Sequence, residues 1–532
     1  MAAEPQIKIV EDGVSTSKER PSDVISQRRS KELIIAFSGP IGCGINPVKE
    51  HMQQELENAG YIVHHIKISE YLKQCIKDQL VCKGEVLHTS GGDRYIQMQD
   101  AGNELRAVQS DILAEYAITK IAEIRTINTS ESEELADYIP ERTAYFIDQL
   151  KHPEEVMLLR TVYGNLFYLF GVLSITSRRE KRLSLEGVNH EHRSLLIERD
   201  RKERLNNGQQ LDKALQLADF FIRNDHYNTE AIKSQIQRFI KLIHGENGLS
   251  PTKAEYGMYA AYASGLRSSC LSRQVGAAIM SPEGIIIATG RNDVPKFGGG
   301  LYSPESGSVD ARCIKLEGEH CYNDIYKRKL VDDIKDILKQ ELVSLCSDTI
   351  ELDRLSTSIS ENAYKNTRLS GLIEFSRSIH AEMDAIVSLA LKGNNATKDA
   401  TLFTYTFPCH NCARHIVAAG ISTVYYLEPY EKSLALELHS DAISIDGTDY
   451  VPDENGSVNQ KVSFLHFEGV APRQYLNMFN PSGDRKDKSG KAIKISIRDA
   501  DKKVPEYLDA YRDYELKVIA HMQDLLKQKL KV

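Results

Sequence analysis

Tryptophan is absent from this chain of 532 residues, and aromatic residues together make up only 7% of it. That scarcity argues against a surface on which successive bases of a single strand are stacked. An excess of basic residues is missing too: 67 Lys and Arg against 75 Asp and Glu leave a formal charge of -8, with the signs interspersed. No global field draws in a phosphate backbone, so long nucleic acid is a weaker substrate than a small molecule. A long apolar run is also lacking. The most apolar stretch, near residues 166–175, is too short to span a bilayer, and the opening MAAEPQIKIVEDG has no basic segment leading into an apolar one. The expectation is a cytoplasmic protein with no membrane partner. Cysteines stand at 43, 75, 82, 270, 313, 321, 346, 409 and 412, an odd count in a long chain, which speaks against a disulfide framework. What is present is ordinary for a globular protein, 41% apolar and 27% charged residues, in a length that calls for two or three domains.

Residues 1–30 are polar without a sustained period and read as a flexible arm. The first domain is expected over 31–245. Its short apolar runs at 32–38, 61–66, 144–149 and 165–173 alternate with amphipathic segments such as 191–204 and 229–243, which implies an α/β fold with helices on both faces of a parallel sheet. Gly39, Gly42, Cys43, Gly44, Ile45 and Asn46 follow the first strand and precede a helix, the setting of a phosphate loop of pattern G-x-x-x-x-G-K-[ST]. Ile45 stands where that pattern has lysine, and Asn46 where it has a hydroxyl for Mg²⁺. The remaining backbone amides are suited to holding an anion, so the loop reads as a nucleotide-binding and sensing element rather than a phosphoryl-transfer one.

After the turn-rich HGENGLSP (244–251), a second domain is expected over 250–475. It opens with a helix over 253–269 and a hairpin over 274–280 and 284–289, joined by SPEG. An insertion over 296–370 carries a glycine-rich loop and a helix near 330–346, and an αβαβ run follows. Residues 477–503 read as a mobile segment. The tail returns to helical spacing, with Leu508, Tyr511, Tyr514, Val518, Met522 and Leu525 on one face, suited to packing or to an oligomer contact.

The chemistry lies in that αβαβ run. His380-Ala381-Glu382 opens an apolar helical segment, and Pro408-Cys409-His410-Asn411-Cys412 follows a strand and opens another helix. Either half alone is weak, because sixteen histidines make a chance H-x-E unremarkable and a lone C-x-x-C is also a redox pair. Together they form the two halves of the zinc deaminase signature. Cys409 and Cys412, three apart in a first helical turn, turn both sulfurs to one point, and the helix N-terminus favours thiolate. With His380 they balance the charge of Zn²⁺ and leave its fourth tetrahedral position open, as a catalytic site requires. Glu382 is left to carry protons.

Residues 254–475 resemble the deoxycytidylate deaminase family through SSCLSRQVGAAIM (268–280), GRNDVP (290–295), IHAEMDAI (379–386), TFPCHNCARHIVAAGI (406–421) and LEPY (427–430). The resemblance implies a cytidine-deaminase-like αβα sandwich, a contact of Asn292 with the nucleoside and a place for Tyr430 beside the substrate. Where the family has Tyr-Asn-Gly this chain has Arg291-Asn292-Asp293. Relatives with a second, structural zinc make Cys313, His320 and Cys321 candidate ligands, against the alternative of unliganded loop residues. The RREKR run (178–182) and LADFFIRN (217–224) resemble the lid and last strand of nucleoside monophosphate kinases, which makes the first domain P-loop kinase-like. The two domains together resemble the bacterial anti-phage deoxycytidine nucleotide deaminases. That resemblance implies hydrolysis of dCMP or dCTP in defence against phage and, in some members, a small regulatory RNA; the degenerate loop points to a regulatory nucleotide on the first domain, and the family's closed assemblies imply a homo-oligomer. A polynucleotide cytidine editor and a non-enzymatic nucleotide sensor are the alternative readings.

Overall fold

Leu33–Ser38 (β1) is buried at every position, as a strand must be when helices cover both faces of its sheet. The computed structural model describes residues 20–127, 139–201, 208–225, 229–345, 348–393, 397–429, 433–445, 461–481 and 483–530. β1 is followed by Ile62–Lys67 (β2), Thr143–Asp148 (β3), Phe167–Leu173 (β4) and Phe220–Arg223 (β5). These five are mutually parallel in the order β5-β4-β1-β3-β2. Strand positions agree with the apolar runs of the sequence to within two residues. Helices such as Ile45–Asn58 and Glu230–Ile243 bury Val48, Met52, Ile236 and Phe239 on one face. Ile112–Ile127 buries Leu113, Ala117 and Ile121 on the other.

The second sheet contains Gly276–Met280 (β6), Ile286–Arg291 (β7), Thr401–Thr406 (β8), Thr423–Glu428 (β9), Ile443–Ile445 (β10) and Val462–His466 (β11), in the order β10-β11-β9-β8-β6-β7. β6 and β7 form the expected antiparallel hairpin, while β8, β9, β11 and β10 run parallel. Helix Lys253–Gly265 packs on one face and the helices Ala381–Leu391 and His410–Ala418 on the other, giving three layers. The insertion holds two long helices, Tyr322–Leu342 and Thr349–Asn366. Only the first was foreseen. Thr349–Asn366 buries just Leu352, Ser356 and Ser360, so it lacks the apolar stripe by which a helix is recognised.

One short strand from after β11 joins the first sheet. Gly469–Val470 (β12) leaves the second sheet and pairs antiparallel with β5 at the edge of the first, where Asp219 O accepts from Ala471 N. The segment 477–503, expected to be mobile, is tied down in places: Lys502 is buried with Nζ donating to Glu32 O, and Asn247 Nδ2 donates to Ile493 O. The tail helix Leu508–Leu525 packs on Ile112–Ile127 of the first unit rather than standing free. Its inward face is Leu508, Tyr511, Glu515, Met522 and Leu525, and Tyr514 faces outward at 46% exposure. Glu515 takes the inward place because Arg125 meets it at 2.6 Å, and Arg125 also binds Glu32 at 3.1 Å. An apolar-only pattern cannot register an ion pair as part of a core.

Candidate active site

His380 precedes the helix Ala381–Leu391 as its N-cap, in extended backbone, and the bridge between Ile379 and Asp293 holds the residue before it. Cys409 is likewise the N-cap of His410–Ala418, with Sγ accepting from Cys412 N. Two helix N-termini therefore meet at one point, each presenting the positive end of its dipole. What lets the first helix come so close is Gly290 on β7: a Cβ there would lie 2.1 Å from Ala381 O and 2.4 Å from Ala385 N.

His380 Nδ1 lies 3.3 Å from Cys409 Sγ and 3.3 Å from Cys412 Sγ. Bonds of about 2.3 Å to sulfur and about 2.0 Å to nitrogen, at a tetrahedral angle, set such atoms roughly 3.5 Å apart. The donor set therefore fits zinc in both chemistry and spacing. Among the described residues it is the one group of histidine, cysteine and acid side chains close enough to hold a metal ion. The electrostatics agree. Hydrogen bonding from Cys412, and then from His380, holds the Cys409 thiol down at about 4, while its bond to Cys409 raises His380 to about 9. The hydrogen bond with Cys409 and burial, with the Glu382 charge beside it, push the Cys412 thiol up. One thiolate suppresses the other, and a dication between them is what ionises both. Glu382 is buried at 4% exposure, 3.4 Å from Cys412 Sγ. Burial pushes its carboxyl up and the nearby His380 charge only partly offsets this, so it is poised to gain and release a proton.

A cavity of about 170 Å³ opens beside these groups, with Arg273, Asn292, Arg377 and Phe407 among its lining residues. Asn292 reaches it while its side chain accepts from Val275 N and donates to Arg273 O, which ties the loop before β6 to β7. Tyr430 lies outside the described residues. Cys313, His320 and Cys321 do not form a second metal cluster: Cys313 and Cys321 line the cavity, whereas His320 is exposed.

Several wall residues were not singled out from sequence. Arg273 pairs with Glu428 at the end of β9, and Glu428 also accepts from Thr406 Oγ1. Arg377 donates to Ala311 O and lies over the Tyr322 ring at 5.3 Å, so the insertion supplies part of the wall. The one signal was positional: Arg273 lies within a family-like segment and Arg377 stands three residues before His380.

Residues 39–44 connect β1 to the helix Ile45–Asn58. Gly42 and Gly44 both adopt φ of +78°, and a Cβ at Gly44 would meet Asn224 Nδ2 at 2.5 Å. Cys43 is buried under it and Ile45 begins the helix in the core. Arg182 donates to the carbonyls of Gly42 and Cys43, and Asn224 to that of Gly44.

Residues 251–428 match the model of the cytidine and deoxycytidylate deaminase zinc-binding region. The chain is 30% identical over 183 residues to the deoxycytidylate deaminase of Enterobacteria phage T2, covering 34% of this chain and 82% of that protein. It is 44% identical over 55 residues to ComE operon protein 2 of Bacillus subtilis (strain 168), covering 10% of this chain and 29% of that protein. The dCMP deaminase of cyanophage S-TIM5, solved in complex with dCMP and dUMP, aligns over 36% of this chain and 93% of its own at 19% identity and a TM-score of 0.21. With the phage T2 protein covered over most of its length and the His-Cys-Cys centre assembled, the chain belongs to the deoxycytidylate deaminase family.

Proposed function

We propose that this chain hydrolyses the 4-amino group of a free deoxycytidine nucleotide, converting dCMP to dUMP or dCTP to dUTP with release of ammonia. The observation that carries this reading is the convergence of His380, Cys409 and Cys412, whose ligand atoms lie within 4.8 Å of one another, with the buried Glu382 carboxyl at their side. These three residues would hold zinc, which would supply the Lewis acidity that makes a water nucleophilic near neutral pH. Glu382 does the proton work: it accepts a proton from the attacking water and gives it to ring N3 as C4 becomes tetrahedral, then takes the second proton from the C4 hydroxyl and passes it to the amine, which leaves as ammonia while the C4 carbonyl forms. Asn292 fixes the loop that forms one wall; its contact with the nucleoside and the place of Tyr430 beside the substrate are taken from the family resemblance. Arg273 and Arg377 put positive charge on the wall, as an anionic substrate requires.

The wider role we propose is depletion of deoxycytidine nucleotides in defence against phage by a cytoplasmic homo-oligomer whose activity is held off until infection. The resemblance of the first unit to nucleoside monophosphate kinases, beside the deaminase unit, supports this reading, and a small RNA is a candidate regulator by the resemblance to the anti-phage deaminases. Among the described residues no helix is long and apolar enough to cross a membrane. The direct test incubates purified zinc-loaded protein with dCMP, dCTP, cytidine and single-stranded DNA and follows loss of the 4-amino group. Turnover of one or both nucleotides is expected. Faster turnover of the DNA would favour the editor reading instead. For the defence role, infected cells carrying the native chain should show lower dCMP and dCTP pools than cells carrying Glu382→Ala.

A further inference from the structure

Asp293 is 1% exposed and stands two residues beyond the end of β7. A buried carboxylate is costly unless its oxygens are engaged, so its partners show what it holds. Oδ2 accepts from Ser269 N at 3.2 Å, and Ser269 Oγ lies 3.4 Å from Oδ1 and 3.3 Å from Oδ2. Oδ1 also accepts from Val294 N at 2.9 Å. The peptide of the same residue faces another segment: its carbonyl accepts from Ile379 N at 3.0 Å, and Ile379 directly precedes His380. One residue thus joins the start of the loop 268–275 to the segment that delivers a ligand of the metal centre.

That loop matters because Cys270, Leu271, Ser272, Arg273 and Val275 line the cavity although residues 268–275 form neither helix nor strand. Its far end is pinned by the Asn292 side chain on Val275 N and Arg273 O. Its near end is pinned by Ser268 Oγ, which donates to Asn292 O at 2.5 Å, and by Ser269 on the Asp293 carboxylate. Glycine, the family's residue at this place, would keep the carbonyl for Ile379 and leave Ser269 without its acceptor. The other departure from the family's Tyr-Asn-Gly fits the same device. Arg291 is 7% exposed, and its Nε, which has no hydrogen-bond partner, lies 3.8 Å from Asp293 Oδ2. A buried cation needs a counter-charge, so the arginine at 291 and the carboxylate at 293 form a matched pair.

We infer that Asp293 is a positioning residue of the deaminase reaction: its carboxylate holds the cavity loop 268–275 against the segment that carries His380, so that this wall is built before the nucleotide arrives. The inference rests on the deaminase reading and adds a residue to it. A wall fixed in advance costs nothing on binding, whereas a loosened one must be ordered by the substrate, which raises KM and spares the bound-state chemistry. Steady-state kinetics with dCMP and dCTP on the full zinc-loaded chain test it. Asp293→Gly should raise KM for the nucleotide turned over by roughly tenfold, with kcat within about threefold and zinc per chain unchanged, because Ile379 keeps its carbonyl partner. Asp293→Asn keeps an oxygen for Ser269 N but removes the counter-charge of Arg291, so its KM should fall between those of the native and glycine forms. Ser269→Ala should raise KM severalfold in the native chain and add little to Asp293→Gly, since both remove one contact. If the glycine variant does not fold, the asparagine and Ser269→Ala variants carry the test. The assignment is overturned by a KM unmoved in those two variants, or by kcat, zinc content and thermal midpoint falling together, which would make Asp293 a prop of the fold alone. A native chain that turns over neither nucleotide overturns the deaminase reading and this assignment with it, whereas native turnover with unmoved variant KM overturns the assignment only.

Discussion

Glu382 and the cysteines beside it divide the work of the centre in a way that substitutions separate. Glu382 is within reach of the ligand atoms but is not needed to complete the set of His380, Cys409 and Cys412. Glu382→Ala should therefore keep its zinc, read as metal per chain, while turnover falls roughly 10²–10⁴-fold, the usual share of a general acid-base group. A variant that emerges without zinc would make Glu382 a ligand instead. Cys412→Ser should lose metal and activity together, since a hydroxyl is a poor substitute for a thiolate. At this scale the sequence was highly legible, because residues two or three apart keep their geometry wherever the element goes. Asn292 was partly legible: its position was foreseen from the family-like segment, but its bonds to Val275 and Arg273 depend on the strand it happens to face.

At the scale of elements, the helix Ala381–Leu391 carries His380 at its cap and Glu382 in its first turn, so its distance from the sheet sets the geometry of the centre. Gly290→Ala would place a methyl group in contact with backbone atoms of that helix, at Ala381 O and Ala385 N. Backbone cannot yield as a side chain tip can. The expected result is a loss of roughly 1–3 kcal/mol in stability, measured by denaturant unfolding, with weaker zinc retention as the helix is pushed outward. Unchanged stability and zinc content would show that the approach is looser than the distances indicate. The first-unit strands were legible as continuous apolar runs bounded by turn residues. The helix Thr349–Asn366 was not, because it buries serines where a stripe of leucines would have announced it.

Across the whole molecule, the tail helix clasps the first unit through Arg125, which lies between Glu32 and Glu515, while Tyr145 and Tyr511 donate to Glu32. Removing one member of such a buried set leaves charge uncompensated. Glu515→Ala should cost roughly 3 kcal/mol of unfolding free energy while kinetics at the distant zinc centre stay as they were, measured well below the melting range. His244, 2% exposed beside the tail region, adds a pH dependence. Its Nδ1 lies 2.8 Å from Ile240 O and its Nε2 accepts from Arg142, an arrangement that suits the neutral ring; Tyr61 Oη also faces it. Burial lowers its pKa from 6.5 to about 4. Between those values the unfolded chain binds the extra proton and the folded one does not, so stability is intact above pH 6.5 and falls as the pH drops towards 4, by on the order of 3 kcal/mol. Urea midpoints at pH 7 and pH 4.5 should lie further apart in the native chain than in His244→Gln, and an equal separation would remove His244 as the cause.

By itself the sequence determined the candidate ligand set, the carboxyl beside it and the alternation of strands and helices. His380 with Glu382 and Cys409 with Cys412 are each fixed within a single turn, and apolar period follows directly from which face of an element is buried. Tertiary structure alone decided how those pieces meet: that Nδ1 of His380 comes within 3.3 Å of both sulfurs, that Arg377 and Tyr322 wall the cavity, and that Gly469–Val470 joins the other sheet. It also decided that Glu515 turns inward in place of Tyr514, and that Asp293 lies between Ser269 and Ile379. The reason is the range of the interactions. Spacing along a helix or strand constrains only near neighbours, whereas an ion pair or a cavity wall is made by residues whose separation in sequence carries no information about their separation in space.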